Sequence, residues 1–592
     1  GTPATKNTVT GGGYARIKLD GDCEFDAVTV TANDELDLNG ERIELSGTLD
    51  INGTLDADGL IVSSGIIDQD GTIDNAASCD MILTGAVSQD LKATTHGNIM
   101  INTGTGTSYE SGTKDFGTTP FTVASGTFEP GTSGRDLTCG NFTVATGGAF
   151  TANALTELTV AGDFTTSGGL IGKSAVVFDG TGDYITVPDH ATLDFNASGD
   201  VTLDCWLKVG TTGNDHNVEL IEKQDSSTGA RYQFFYVHSA NTLDFSISDG
   251  SGSVAANITD ARATVFDDKW HNLVGVRDAG STVKIYLDGK LMASVADTEG
   301  DLSNDGALLI GKGNNGELQG TIARVSVWAE ALSAGQIRNM MFKDWTAVAA
   351  DNYDGSSNPN GFTDSNAKLW YEFNEGVDNA APSGTDVEDL SAQSNNGTFA
   401  GDPAWATTGT FNKSTSTLIM SGTGTMTIPD GFDVNNLTVG ASGQTTTLKV
   451  PSANANLDVY GLLTIDSGTF TDASSPNADV ALFGNQTPVC NGSSTFANID
   501  RVIFWASGDM NVTATTFDNV TFGNGRTYTG AGAITVNTKL ELTDNASFVA
   551  GGNMTVSQEL EVNGGTTFNA NGNTITVREV DANGSGTLNL TN

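Results

Sequence analysis

Carboxylates dominate the chemically active side chains of this sequence, with 72 Asp and Glu against 27 Lys and Arg and five His. Glycoside hydrolysis needs two carboxyl groups facing one substrate, as a Glu-x-Asp-x-x-Glu strand provides. Glu35-Leu-Asp37 is the nearest match. Asp68, Asp70 and Asp74 also cluster, but no Lys or Arg is near to act as a partner, and they read as solvated turn carboxylates. His96, His190, His216, His238 and His271 are isolated, with no His-Glu-x-x-His and no serine elbow. Calcium takes several oxygen ligands from carboxylates, amides and carbonyls. Asp179 and Asp183 flank a Gly-Thr-Gly turn, and Asp301, Asn304 and Asp305 share a short loop, so either group offers such oxygens. Sugars stack on exposed aromatic rings beside hydrogen-bonding amides or carboxylates. Tyr232, Phe234 and Tyr236 share one face of one strand, as a stacking platform or as a core stripe; Tyr353, Trp370 and Tyr371 are less constrained by pattern. The candidate glycan contacts are therefore Tyr232, Tyr236, Tyr353 and Tyr371.

The elements that must position these groups are short strands. Val201–Val209, Arg231–Val237, Leu243–Ile247, Trp270–Val276, Val283–Leu287 and Thr321–Trp328 alternate apolar and polar residues, with Asp-Gly or Asn-Gly turns between several of them. Many antiparallel strands with regular turns predict a two-sheet sandwich. Cys205 and Trp206 alternate within one strand, which makes Cys205 a buried core thiol. One helix is predicted at Ser333–Lys343, with Ser333 as cap and Ile337, Met340 and Met341 at helical spacing.

The motifs Phe178-Asp-Gly-Thr-Gly-Asp-Tyr184, Lys269-Trp-His-Asn-Leu-Val274, Val283-Lys-Ile-Tyr-Leu-Asp-Gly289 and Ile322–Ile337 resemble the laminin-G-like, concanavalin-A-like jelly roll. The resemblance implies burial for Trp206, Trp270 and Trp328, a structural role for His271, and a structural calcium. It departs from the family in one respect. The segments Trp370-Tyr-Glu-Phe-Asn-Glu-Gly376, Asn396-Gly-Thr398 and Trp405, which precede the first motif in the family, come last here. A circularly permuted jelly roll is expected, its late segment pairing beside its first strand; an aborted second copy is the alternative.

Repeats stand on both sides of this region. Gly47, Gly53, Gly59, Gly65 and Gly71 fall six apart, each followed two residues later by an apolar residue from Leu49 to Ile73. A stacked repeat or a meander of short hairpins fits that spacing. Later, Ile534, Met554 and Ile575, then Leu540, Leu560 and Val580, then Phe548, Phe568 and Leu588 recur every 20 or 21 residues. Three interleaved series with one period predict three strands per coil in a parallel β-solenoid. The fold class is thus all-β: a turn-rich segment at 1–42, solenoid-like repeats at 43–170, the laminin-G-like sandwich at 171–406 and a solenoid of about 20-residue coils at 407–592. The sandwich is either inserted into one rod or set between two.

Composition narrows the function. A net charge of −45 repels nucleic acid and anionic membranes and makes cations the natural partners. No stretch approaches 18 consecutive apolar residues, so no membrane insertion is expected. The five cysteines are too scattered for a zinc site or a disulfide framework. Asn-x-Ser/Thr triplets, as at Asn141, Asn257, Asn436 and Asn519, arise by chance in so Asn- and Thr-rich a chain. The composite resembles bacterial adhesins and bacteriophage surface or fibre proteins. It implies a non-enzymatic protein, extracellular or on a cell or virion surface, whose partners are a glycan or neighbouring subunits, with a homo-oligomer as one form of assembly. Pure assembly without glycan binding is the first alternative, and polysaccharide degradation the second.

Overall fold

The computed structural model describes residues 7–9 and 15–590, apart from 92–95, 111–112, 131–134, 153–154, 173, 352–360, 376–385, 407–408, 414, 430, 441–442, 451–455, 467, 473–477, 485–488, 492–494, 498 and 513–515. The six-residue glycine spacing is one third of a coil. Leu49 pairs in parallel with Ile67, Leu55 with Ile73, and Ile61 with Met81, so Leu49, Leu55 and Ile61 belong to three faces of one coil. The parallel pairing rules out the hairpin meander. Glycine is required where coils touch at their corners: a Cβ on Gly65 would come 1.9 Å from the carbonyl oxygen of Gly47. The late series stack as expected, with Ile534 on Met554 on Ile575, Leu540 on Leu560 on Val580, and Phe548 on Phe568 on Leu588. The series line the rod interior, Ile575 and Leu588 of the last coil packing on the core and only Val580 there being 41% exposed.

The rod is single. Phe150 pairs with Phe411, Leu158 with Leu418 and Phe164 with Met426, so the coil that leaves before the sandwich is continued by the coil that follows it. One apolar core runs from Leu19 to Ala570 and omits the intervening sandwich. Phe121, Phe142 and Phe164 stack along it with ring centroids 6.0 and 5.7 Å apart. Of the two arrangements open from the sequence, the structure has the insertion.

The sandwich has two antiparallel sheets. The first runs Lys290–Ala296, Thr282–Leu287, Trp270–Asp278, Val201–Lys208, Gln319–Trp328, Val176–Asp179 and Ala404–Trp405, with Ala367–Tyr371 also on Gln319–Trp328. The second runs Val254–Thr259, Thr242–Asp249, Ala230–Val237, Val218–Gln224, Leu308–Ile310, Tyr184–Val187, Gly397–Ala400 and Asp386–Val387. Val176 pairs with Trp405, and Ile185 with Phe399, so the late segment lies beside the first strands as the permutation requires. The ends of the insertion therefore meet where the rod resumes. The helix Ala334–Met340 starts at a capping box, Ser333 Oγ accepting from Gln336 N and Gln336 Oε1 from Ser333 N.

The first sheet docks on the rod. Trp206 and Trp270 are buried, as the resemblance implied, but at the junction rather than between the sheets, where they pack with Leu60, Val62, Ile82 and Met100 of the coils. Trp270 N–H donates to Asn102 Oδ1 at 3.0 Å, Asn102 Nδ2 donates back to Trp270 O at 2.7 Å, and Trp270 Nε1 donates to Thr146 O at 3.1 Å. Around this apolar centre, Arg338 pairs with Asp22 and Glu41 at 3.0 and 3.2 Å, Lys290 with Glu24 and Glu44, and Arg42 Nε donates to Asp288 O. Trp328 packs instead edge-on to Trp370, beside the helix.

Candidate functional site

Alternation along Ala230–Val237 decides which side chains meet solvent. Tyr232 and Tyr236 are fully buried between the sheets, which corrects their expected role as stacking rings. Tyr232 hydroxyl donates to Leu193 O, and the Tyr236 ring lies 4.7 Å from Phe266. Tyr371 is a core ring too; its hydroxyl donates to Asn395 O and burial raises its pKa far above the ordinary value. Tyr353 lies outside the described residues. The outward residues of the same strand are Arg231, Gln233, Phe235 and Val237, and the sequence reading took the opposite face.

The neighbouring strand Val218–Gln224 supplies two carboxylates to that outer face. Residues three apart in a regular strand point to opposite sides, but a bulge between Glu219 and Ile221 turns both Glu219 and Glu222 outward. The loop at 312–317 folds over them. Glu222 accepts from Asn314 N and Nδ2 at 3.0 and 3.1 Å, and Glu219 accepts from Asn315 N and Gly316 N at 2.9 and 3.1 Å. Burial, with the charge of Glu219 added, pushes Glu222 up to about 7. Glu222 Oε1, Gln233 Oε1 and Arg231 Nε are buried and find no partner among the described residues. Glu222 pairs across strands with Gln233, and Gln224 with Arg231, so these orphaned groups are neighbours. Phe235 is half-buried beside them, and Tyr184 is half-buried three strands away with Lys312 Nζ 4.7 Å above its ring. The half-buried rings and Arg231 of this outer face, with the amide of Gln233 and the two carboxylates buried beside them, are the residue types that hold a hydroxyl-rich ligand.

Several of the oxygens expected to hold calcium accept hydrogen bonds within the chain. Lys223, fully buried, places its ammonium 2.5 Å from Asn304 O, 2.8 Å from Asp189 and 3.1 Å from Asp194, so Asn304 already serves a cation of the chain itself. Asp301 Oδ1 accepts from Ser303 N, and Asp305 is exposed. Asp183 accepts from Asp179 N and Asp402 N, and Asp179 from Thr181 N, which ties the first sandwich turn to the closing segment. Among the described residues no three His, Cys, Asp or Glu are grouped to hold a metal.

The hydrolytic candidates lie on the rod. Arg16 bridges Glu35 and Asp37, each at 2.9 Å, and Asp68 stacks on Asp50. His271 sits between Asp288 at 2.8 Å and Asp267 at 3.0 Å. Burial works to lower its pKa, but the two carboxylates outweigh that and raise it to about 10. It is thus an imidazolium at neutral pH, and it lies at the rod junction, where the backbone carbonyl of Asp288 accepts from Arg42 Nε.

Residues 179–338 match the family described as the concanavalin A-like lectin/glucanases superfamily, laminin G type. Solved structures are similar to this lectin-like sandwich. They include a provisionally named carbohydrate-binding protein from Bacteroides ovatus (15% identity, 40% of this chain, 60% of that one, TM-score 0.27). Another is domains LG4-5 of the mouse laminin alpha1 chain (14%, 26%, 41%, 0.22). A third is the ligand-binding domain of botulinum neurotoxin serotype D in complex with N-acetylneuraminic acid (13%, 27%, 39%, 0.23). The chain spans between 39% and 60% of the length of these structures. At such identities the likeness concerns the fold. No curated protein sequence matches. No helix among the described residues is long and apolar enough to cross a membrane.

Proposed function

We propose that this chain is a non-enzymatic recognition protein of an extracellular or particle surface, which binds glycans on the outer sheet of its sandwich and uses the rod as a stiff mount. The observation that carries this is the orientation: the first sheet is spent on the rod, and the second turns its outer side away from it, with Phe235 and Arg231 half-buried there and the Gln233 amide just beneath the surface. The family match to lectins and glucanases fits a sugar ligand. Against hydrolysis on this face, Glu219 and Glu222 are both buried beneath the loop at 312–317, Asn314 donating to Glu222 Oε2 and Asn315 and Gly316 to Glu219, so a sugar would have to displace that loop to reach them.

The test is a glycan array probed with the full chain and with Phe235→Ala and Gln233→Ala, in calcium and in chelator. Both variants are expected to lose about tenfold or more in affinity, since a stacking ring and a desolvated hydrogen-bonder each contribute on the order of 1–3 kcal/mol. Tyr232→Phe, buried in the core, should bind like the parent. Binding of no glycan by the parent, or equal binding by both variants, would refute the assignment. The chelator arm decides whether calcium contributes through the Asp179–Asp183 turn.

A further inference from the structure

The rod carries aromatic residues that its core does not use. Tyr460, Phe483 and Trp505 each follow directly on a strand, Asn456–Val459, Asp479–Leu482 and Arg501–Phe504, and these strands stack in parallel with Val459 on Leu482 on Phe504. The three side chains therefore occupy the same outer corner of three successive coils. The fourth position of the column is Gly523, after Phe522. Tyr460 is 44% exposed, and Phe483 and Trp505 are half-buried. Tyr460 and Phe483 stack at 5.0 Å and 16°, with Lys413 Nζ 3.5 Å from the far face of Tyr460. Trp505 is placed differently: no described ring stacks on it, and its benzo ring lies against Gly523, where a Cβ would come 2.5 Å from Cζ3. One side of the indole rests on the Gly523 backbone, and no described ring covers the other.

Hydrogen-bonding groups flank the column on the same sheet. Arg501, Asn519, Thr521, Lys539 and Glu541 line a trough of about 310 Å³ that begins four residues from Trp505 along one strand. Its cations are matched by carboxylates, Arg501 with Asp479 and Lys539 with Glu559 and Glu561. The trough thus offers donors and acceptors without a surplus of positive charge, and the net charge of −45 repels a polyanion. Coils repeat every 4.8 Å or so, close to the advance per unit of an extended pyranose chain, so neighbouring coils meet successive sugars in equivalent ways.

We infer that this corner of the rod is a second carbohydrate site, which takes an uncharged, extended polysaccharide lying along the rod axis with a sugar stacked on Trp505. It rests on the reading of the chain as a glycan-binding protein, but on a surface remote from the sandwich face. The test is affinity electrophoresis of the full chain in native gels containing a soluble β-glucan, xylan or galactomannan, with alginate as the anionic control. Retardation by at least one neutral polymer is expected, with the apparent dissociation constant about tenfold larger for Trp505→Ala, which loses the stacking ring, and about threefold larger for Tyr460→Ala, which loses only an exposed ring edge and hydroxyl on the same corner. Trp505→Phe should keep most of the retardation, and Phe235→Ala should keep it all. Tyr460 is exposed enough to be removed without unfolding, so it carries the test if Trp505→Ala melts early. Unchanged retardation in both rod variants, or retention by alginate alone, would sink the rod site while glycan binding by the sandwich stood. Retardation abolished by Phe235→Ala alone would do the same. No retardation by any polymer sinks it too, and the array then decides whether the sandwich reading survives.

Discussion

His271 is buried between two carboxylates. Its raised pKa, about 10 against an ordinary value near 6.5, means that the folded state holds a proton more tightly than the unfolded chain does. The stabilisation is complete below about pH 6.5, declines as pH rises and is gone above about 10. Asp267, held well below the ordinary carboxylate range despite burial because His271 and Lys269 bond to it, works in the opposite sense and loses its contribution as pH falls. Melting temperatures of the parent should therefore fall more steeply between pH 6.5 and 10 than those of His271→Gln; parallel curves would show that the triad is not protonated as described. At this scale the sequence was only half legible. The aromatic content of Arg231–Val237 announced a functional strand or a core strand, but period-two alternation does not say which side is inside, and one residue of register exchanges Tyr232 for Gln233. The bulge at Leu220 that brings Glu219 and Glu222 to one face left no signature in residue types.

Among the elements, the repeats were the most legible, because a solenoid needs the same residue class at the same corner of every coil. Phe548, Phe568 and Leu588 could be aligned from spacing alone. The junction was not legible. Tryptophan identity predicts burial, but whether Trp206 and Trp270 are covered by the opposite sheet or by another unit depends on which face of the sheet they leave, and on a rod surface with Leu60, Val62 and Met100 outward. Those outward residues sit in strands buried on both sides, such as Leu60–Ser63, whose continuous apolar run carried the only hint. Removing the anchor that is hydrogen-bonded to the rod tests the weld: Trp270→Ala should cost about 3–5 kcal/mol, as expected for a buried indole, and should loosen the sandwich from the coils. Denaturant unfolding would register the loss, and faster hydrogen exchange at Leu60–Ser63 and Met100 would locate it. A loss under 1 kcal/mol would mean that the ion pairs of Arg338 and Lys290 hold the junction by themselves.

For the whole molecule, repeats on both sides of a sandwich gave its order along the chain, and only the pairing of Phe164 with Met426 reduced two rods to one. That pairing spans a sequence separation close to half the chain, and contacts so remote are slow to form. The strand Leu155–Val160 and its neighbours have no coil above them until residues 410–427 arrive. A chain stopped at residue 406 should hence associate into multimers through that bare edge, visible by light scattering, whereas the full chain should not do so through it; a monomeric truncated chain would refute this. During synthesis the ribosome imposes the same interval on every molecule. The sandwich, whose ends meet only once Ala404 and Trp405 emerge, must close before the second half of the rod can find the first, so the pace at which the nascent chain completes its inserted unit governs how long the half-built column stays sticky.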